Sequence, residues 1–173
     1  MRFFLIIICV VLYSCGNTIY IVRHAEKAPV EAGASQMRAT DPPLSDLGKV
    51  RAIALRDKLK GRNVHFIFST NTKRTIATAQ PLNELRGNTR IDIYSSKKDS
   101  VDAFIERLKT IRKGNALVVG HSNTVDDIVN KLCQRTEIPA DLKDNEYDNL
   151  FILKRKGNSY RFIKEKYGTK SPD

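Results

Sequence analysis

The chain predicts a single three-layer α/β domain, and three observations carry that reading. Short runs of β-branched and aromatic residues alternate with longer segments whose apolar residues recur at helical spacing, the order of an α/β fold. One run, Asn115-Ala-Leu-Val-Val-Gly120, is almost wholly apolar, as a strand buried on both faces in mid-sheet must be. Three of the runs end abruptly in ionisable or hydroxyl-bearing residues, at the strand edge where open α/β sheets bind ligands. The 173 residues are enough for one sizeable core.

The first residues lie outside that domain. Met1-Arg2 is a short positive start, and Phe3 to Tyr13 is an apolar run of 11 residues broken only by Cys9, too short to span a bilayer as a helix. It runs into Leu12-Tyr13-Ser14-Cys15, which resembles the lipobox of bacterial lipoproteins, with Tyr13 where that pattern carries a small residue. The resemblance implies a signal peptide over residues 1–14, cut before Cys15, whose thiol and amine are then acylated. The rival reading is a plain secretory signal cut after Ser14 or Gly16. Either one exports the chain; the first leaves it lipid-anchored in the cell envelope, facing the periplasm. Cys133 is then the mature chain's one cysteine without lipid, and its apolar helical setting marks a buried, inert thiol.

The elements follow in order. Ile19-Tyr-Ile-Val22 has the composition of a buried strand and stops in Arg23-His24-Ala25-Glu26-Lys27. Residues 28–43 read as loop, broken by Pro29, Gly33, Ser35 and Asp41-Pro42-Pro43. A helix opens at Ser45, the expected N-cap, with Asp46 in its first turn and Gly61 at its end. Val64 to Ser69 is a second strand, and His65 within it is given no role. Thr72 to Leu85 is a helix interrupted by Pro81; Arg90 to Tyr94 is a short strand. Asp99 to Lys113 is a helix on the spacing of Val101, Phe104, Ile105, Leu108 and Ile111. After the central strand, Ser122 to Leu132 forms another helix. Leu150 to Lys154 and Tyr160 to Lys164 are strands joined by a hairpin signal. The domain spans residues 18–167, with 168–173 as a tail.

Lys and Arg outnumber Asp and Glu by 30 to 19, which points to anionic partners or surfaces. The cations are spread along the chain with no long block or interleaved aromatic platform, which argues against a nucleic-acid partner. Three strand ends carry the candidate chemistry: Arg23-His24; Ser69 to Arg74; and Gly120-His121-Ser122-Asn123. Neutral imidazole is a nucleophile near pH 7, guanidinium forks onto phosphate oxygens, and helix N-termini offer free N–H groups. The combination suggests phosphoryl transfer to histidine.

Arg23-His24-Ala25-Glu26 resembles the signature of the histidine phosphatase superfamily, which includes the cofactor-dependent phosphoglycerate mutases. Pro43-Leu44-Ser45-Asp46-Leu47-Gly48 is similar to the family's Pro-Leu-Thr-x-x-Gly segment. Phe68-Ser69-Thr70 through Arg74 to Thr78-Ala79 is similar to the segment carrying its second phosphate arginine, and Val119-Gly120-His121-Ser122 to its second histidine motif. The resemblance implies a three-layer α/β/α fold of the phosphoglycerate mutase kind, with a mixed, mostly parallel sheet. It implies no cofactor and no metal, a phosphohistidine intermediate on His24, and a phosphoryl group held by Arg23, Arg74, His121 and Ser122. His24 is expected neutral, its distal nitrogen donating to a backbone carbonyl, and His121 protonated.

Family members that cleave alkyl esters carry a carboxylate downstream of the second arginine to protonate the leaving oxygen. Here the candidates are Glu26, Asp92 and Asp99, none of them convincing by position. The chain is compact, like the branch that includes phosphohistidine phosphatases. The expected activity is hydrolysis of small phosphomonoesters, or of labile acyl and N-phosphates. The alternative is a non-catalytic envelope lipoprotein that binds phosphorylated or anionic ligands. A lipid anchor and a basic surface would both bring the membrane into reach. The sequence does not specify an oligomeric state.

Overall fold

A computed structural model describes residues 16–30, 33 and 35–171 of the chain. The expected signal segment, including Cys15, lies outside the described residues. Within them the strands are β1 (Thr18–Arg23), β2 (Val64–Ser69), β3 (Ile91–Ile93), β4 (Asn115–Gly120), β5 (Asn149–Lys156) and β6 (Ser159–Lys166). The helices are α1 (Gln36–Thr40), α2 (Asp46–Leu59), α3 (Lys73–Leu85), α4 (Lys98–Thr110) and α5 (Val125–Cys133). The six strands form one sheet in the order β3-β2-β4-β1-β5-β6. β1, β2, β3 and β4 run parallel, whereas β5 is antiparallel to both β1 and β6. The sheet is therefore mixed, and β4 lies in its interior, as its apolar sequence requires.

Two cores, one on each face, make the three layers. Leu55 and Leu59 of α2 and Ala79 and Leu82 of α3 cover one face, against Tyr20, Val22, Leu117 and Val119. Phe104, Ile105 and Leu108 of α4 and Ile128, Val129 and Leu132 of α5 cover the other, against Ile19, Ile21, Ala116 and Val118. The alternation along β1 and β4 thus sends successive side chains into opposite cores. Cys133 is free and buried, and burial raises its thiol to about 11. His65 is exposed on β2, its Nδ1 2.7 Å from the Asn63 carbonyl, away from any chemistry.

Several boundaries differ from the sequence reading. The stretch 28–43 contains the short helix α1. Pro81 does not interrupt α3, which runs through it to Leu85. α5 starts at Val125 rather than Ser122, because Thr124 Oγ1 accepts from the His121 N–H and holds 121–124 as a turn. Lys97 occupies the N-cap of α4, and Asp99, where the sequence reading starts the helix, sits in its first turn. Ser45 does cap α2, accepting from the Gly48 N–H.

Candidate active site

Parallel strands end at one edge, so β1, β2 and β4 deliver Arg23-His24, Ser69-Thr70 and Gly120-His121 side by side. The register pairs Arg23 with Gly120 and Ser69 with Val119. The His24 N–H donates to the Gly120 carbonyl at 2.9 Å, continuing the ladder one step past the strand. Above this edge opens a cleft of about 890 Å³ lined by Arg23, His24, Arg74, His121, Ser122 and Asn123, among others. The five candidate site residues therefore share one cavity.

His24 is 4% exposed. Its Nδ1 is 2.8 Å from the Ala25 carbonyl oxygen, which can only accept, so the proton sits on Nδ1 and Nε2 keeps its lone pair. Burial, with the charges of Arg23 and Arg74 adding to it, lowers this imidazole to about 3. His121 stands with its ring centroid 5.4 Å from that of His24, edge to face. Burial, Arg74 and Arg23 lower it to about 4, against the opposing pull of Asp41. The sequence reading expects His121 protonated as a donor to phosphoryl oxygens; with no phosphoryl group beside it, burial and two guanidinium groups outweigh one carboxylate and favour the neutral ring.

The surroundings fix its tautomer too. Arg74 Nη2, which can only donate, faces His121 Nδ1 at 3.5 Å, and Thr70 Oγ1 is 2.8 Å from His121 Nε2. The proton therefore lies on Nε2 and is donated to Thr70. The Thr70 hydroxyl passes on to Thr75 Oγ1, which donates to the Thr70 carbonyl.

Arg74 is the second residue of α3, and Asp41 holds it there. Asp41 accepts from Arg74 Nη1 at 3.2 Å and from the Lys73 N–H at the helix start. Arg23 is held from the opposite side of the cleft. Its Nη1 donates to the Lys143 and Asp144 carbonyls at 2.7 and 3.2 Å. Its guanidinium lies 4.2 Å above the centre of the Tyr147 ring, and Asp144 pairs with it at 3.6 Å. The Nε of each arginine is buried without an acceptor among the described residues. A buried donor without a partner costs about 1–3 kcal/mol, and more when charged.

Three of these groups escape sequence reasoning. Asp41 reads only as a loop breaker beside two prolines, and Tyr147 lies beyond the last motif with no local signal. Thr70 is inside a quoted motif, yet nothing in the spacing assigns its hydroxyl to a histidine 51 residues away.

The carboxylates named as leaving-group acids are engaged elsewhere. Glu26 accepts from Arg51 Nε and Nη2 at 2.6–2.9 Å and faces α2. Asp92 pairs with Arg90 and Arg107. Asp99 is an exposed first-turn residue of α4. Among the described residues, Asp144 is the one carboxylate on the cleft lining.

The fold is phosphoglycerate mutase-like. Residues 19–98 match the model of the histidine phosphatase superfamily (branch 1), a span holding the first three motifs and ending before His121. Over that span the chain is similar to the histidine phosphatase superfamily. Solved structures of similar fold include the protein histidine phosphatase SixA complexed with tungstate, at TM-score 0.62 and 16% identity over 86% of this chain and 96% of that one. Phosphoglycerate mutase from Bacillus anthracis gives TM-score 0.61 and 16% identity over 87% and 92%. A phosphoserine phosphatase mutant from Entamoeba histolytica, in complex with phosphoserine, gives TM-score 0.61 and 12% identity over 87% and 96%. Among curated proteins no sequence match to the chain was found.

Proposed function

We propose that the chain is a phosphatase that hydrolyses small phosphorylated substrates through a phosphohistidine on His24. The observation that carries this reading is the state of His24: neutral, fixed by Nδ1, and set in one cavity with two arginines whose Nε donors have no acceptor among the described residues. A phosphoryl group seated between the arginines would supply the missing acceptors. The similarity of residues 19–98 to the histidine phosphatase superfamily, and the likeness in fold to SixA and the phosphoserine phosphatase, support the reaction class.

The reaction divides into two displacements. His24 Nε2 attacks phosphorus in line, the bond to the leaving oxygen or nitrogen breaks, and that atom departs with the electron pair and takes a proton. Water then attacks the phosphohistidine from the vacated side, the N–P bond breaks, and inorganic phosphate leaves. Arg23 and Arg74 neutralise the equatorial oxygens throughout. A phosphate dianion beside His121 opposes the guanidinium charges that lower it, so substrate binding favours the imidazolium and a further donor to phosphate.

The test uses p-nitrophenyl phosphate with wild type and His24→Ala. Loss of the nucleophile is expected to cut turnover at least a thousandfold, since each ~1.36 kcal/mol of barrier is tenfold. Retention of wild-type turnover in His24→Ala would remove the proposal.

A further inference from the structure

We propose that the pole of the domain opposite the cleft is a docking face for an anionic membrane surface. The parallel topology defines this pole. Strands whose carboxyl ends carry the site begin at the other edge, where the loops after α2 and α4, the β5–β6 hairpin and residues 16–17 come together. Hydrogen bonds tie these segments to one another. Asn115 accepts from the Thr18 N–H and donates to the Arg62 carbonyl. Arg155 donates to Asn17, and its guanidinium reaches the Lys109 and Ile111 carbonyls.

Cations dominate the loops of this pole. Segments 60–63, 111–114 and 154–161 read Lys-Gly-Arg-Asn, Ile-Arg-Lys-Gly and Lys-Arg-Lys-Gly-Asn-Ser-Tyr-Arg, with eight cations and no carboxylate. Lys60, Arg62, Arg112, Lys113, Lys156 and Arg161 are exposed, and none has an ion pair among the described residues. The register places Lys154 directly opposite Arg161, a like-charge cross-strand pair that costs stability unless an anion lies between them. Nearby, Glu165 of β6 is paired with Lys58 of α2. The loops around the cleft, in contrast, mix cations such as Lys27, Lys73 and Lys143 with the carboxylates Asp41, Asp144 and Glu146.

The path of the chain selects a membrane over other polyanions. A Cβ at Gly16 would come within 2.7 Å of the Arg155 carbonyl oxygen, so the chain joins the fold against the end of β5. The fifteen residues before it, with the apolar run Phe3 to Tyr13, are connected at the basic pole. The few residues between that run and β1 reach little more than ~3.5 Å each. On the lipoprotein reading that run is cut away and acylated Cys15, next to Gly16, enters the bilayer, which would bring the basic loops within about a Debye length of the head groups. The cleft would then open away from the surface, toward dissolved substrate.

The full chain is mixed with vesicles of phosphatidylcholine alone and of equal parts phosphatidylcholine and phosphatidylglycerol, then sedimented at low and high salt. Wild type is compared with a pole variant (Arg112→Glu, Lys156→Glu, Arg161→Glu) and with a control of equal net charge (Lys73→Glu, Lys97→Glu, Lys98→Glu). Cations at a membrane surface contribute roughly fivefold each. The preference of wild type for the anionic vesicles should therefore fall about a hundredfold in the pole variant, and far less in the control. Single Lys156→Gln and Arg161→Gln substitutions at exposed positions should each lower it severalfold, which guards against misfolding of the triple variant. Equal losses in pole variant and control, or no loss in either, would overturn the proposal. So would displacement from the anionic vesicles by duplex DNA at equal phosphate concentration, which would assign the face to nucleic acid. Neither result bears on phosphatase activity.

Discussion

At the scale of single residues, the site works by withholding protons. His24 remains neutral because its imidazole is buried between two guanidinium groups, and a neutral imidazole is what an in-line attack needs. This has a measurable cost. An unfolded histidine takes up a proton near 6.5, but His24 in the folded chain resists protonation down to about 3. Between those values the unfolded state binds more protons, so stability falls as pH falls. Acidification from pH 6.5 to 4.5 should cost about 2 kcal/mol from this residue alone. His24→Asn should remove that share of the acid sensitivity in urea titrations at the two pH values. Equal sensitivity in the two proteins would show that His24 is not held neutral. Sequence could identify His24 and His121 because their motifs are local. It could not give His121 its protonation state, which depends on Arg23, Arg74 and Asp41 arriving from three other segments.

At the scale of elements, the loop after β1 is locked to α2, and that lock explains two residues of the motifs. Glu26 is joined to Arg51 by a forked ion pair of side chains 12% and 2% exposed, and Arg51 also donates to the Tyr167 and Thr169 carbonyls. Glu26→Ala would leave a buried guanidinium uncompensated, so it should destabilise the fold by about 3–5 kcal/mol, read from the shift of the urea midpoint. Gly48 permits the same contact. A Cβ there would fall 2.2 Å from the Glu26 carbonyl oxygen, and that oxygen accepts from the Ser45 N–H. Gly48→Ala should therefore push α2 off the loop, lowering both stability and activity. On the other side, Thr78 of α3 accepts from the Ala25 N–H and donates to the Arg74 carbonyl, so the two phosphate-cradling segments move as one. Most of these elements were legible from hydrophobic spacing and caps. The start of α5 was not, because the side chain of Thr124 turns back to His121 and delays the helix by three residues.

At the scale of the molecule, a cleft is closed on one side by a segment that no motif marks. Residues 143–147 return from α5 to clamp Arg23 by two carbonyls, the Asp144 carboxylate and the Tyr147 ring. Ser171 near the chain's end in turn accepts from the Tyr147 N–H. Such contacts form between segments about 120 residues apart in sequence, so only the fold reveals them. The same view bears on substrate choice. Glu26, Asp92 and Asp99 face elsewhere, and Asp144 is 98% exposed and turned to Arg23, so among the described residues no carboxylate is set to protonate a leaving group. General acids contribute roughly 10²–10⁴-fold. Aryl phosphates, acyl phosphates and phosphoramidates should accordingly be turned over at least about a hundredfold faster than alkyl esters. Asp144→Asn should leave p-nitrophenyl phosphate turnover within a few fold. Equal rates for aryl and alkyl esters would reveal an acid that this geometry does not contain.

The most direct test of the central claim is to trap the intermediate. Wild-type protein mixed with a phosphate-labelled aryl ester is quenched in denaturant within a turnover, digested and mapped. The account predicts one labelled peptide containing His24, with the label stable in alkali and lost in acid, and no label in His24→Ala. Label on another residue, or turnover with no covalent phosphate at any time point, would contradict it.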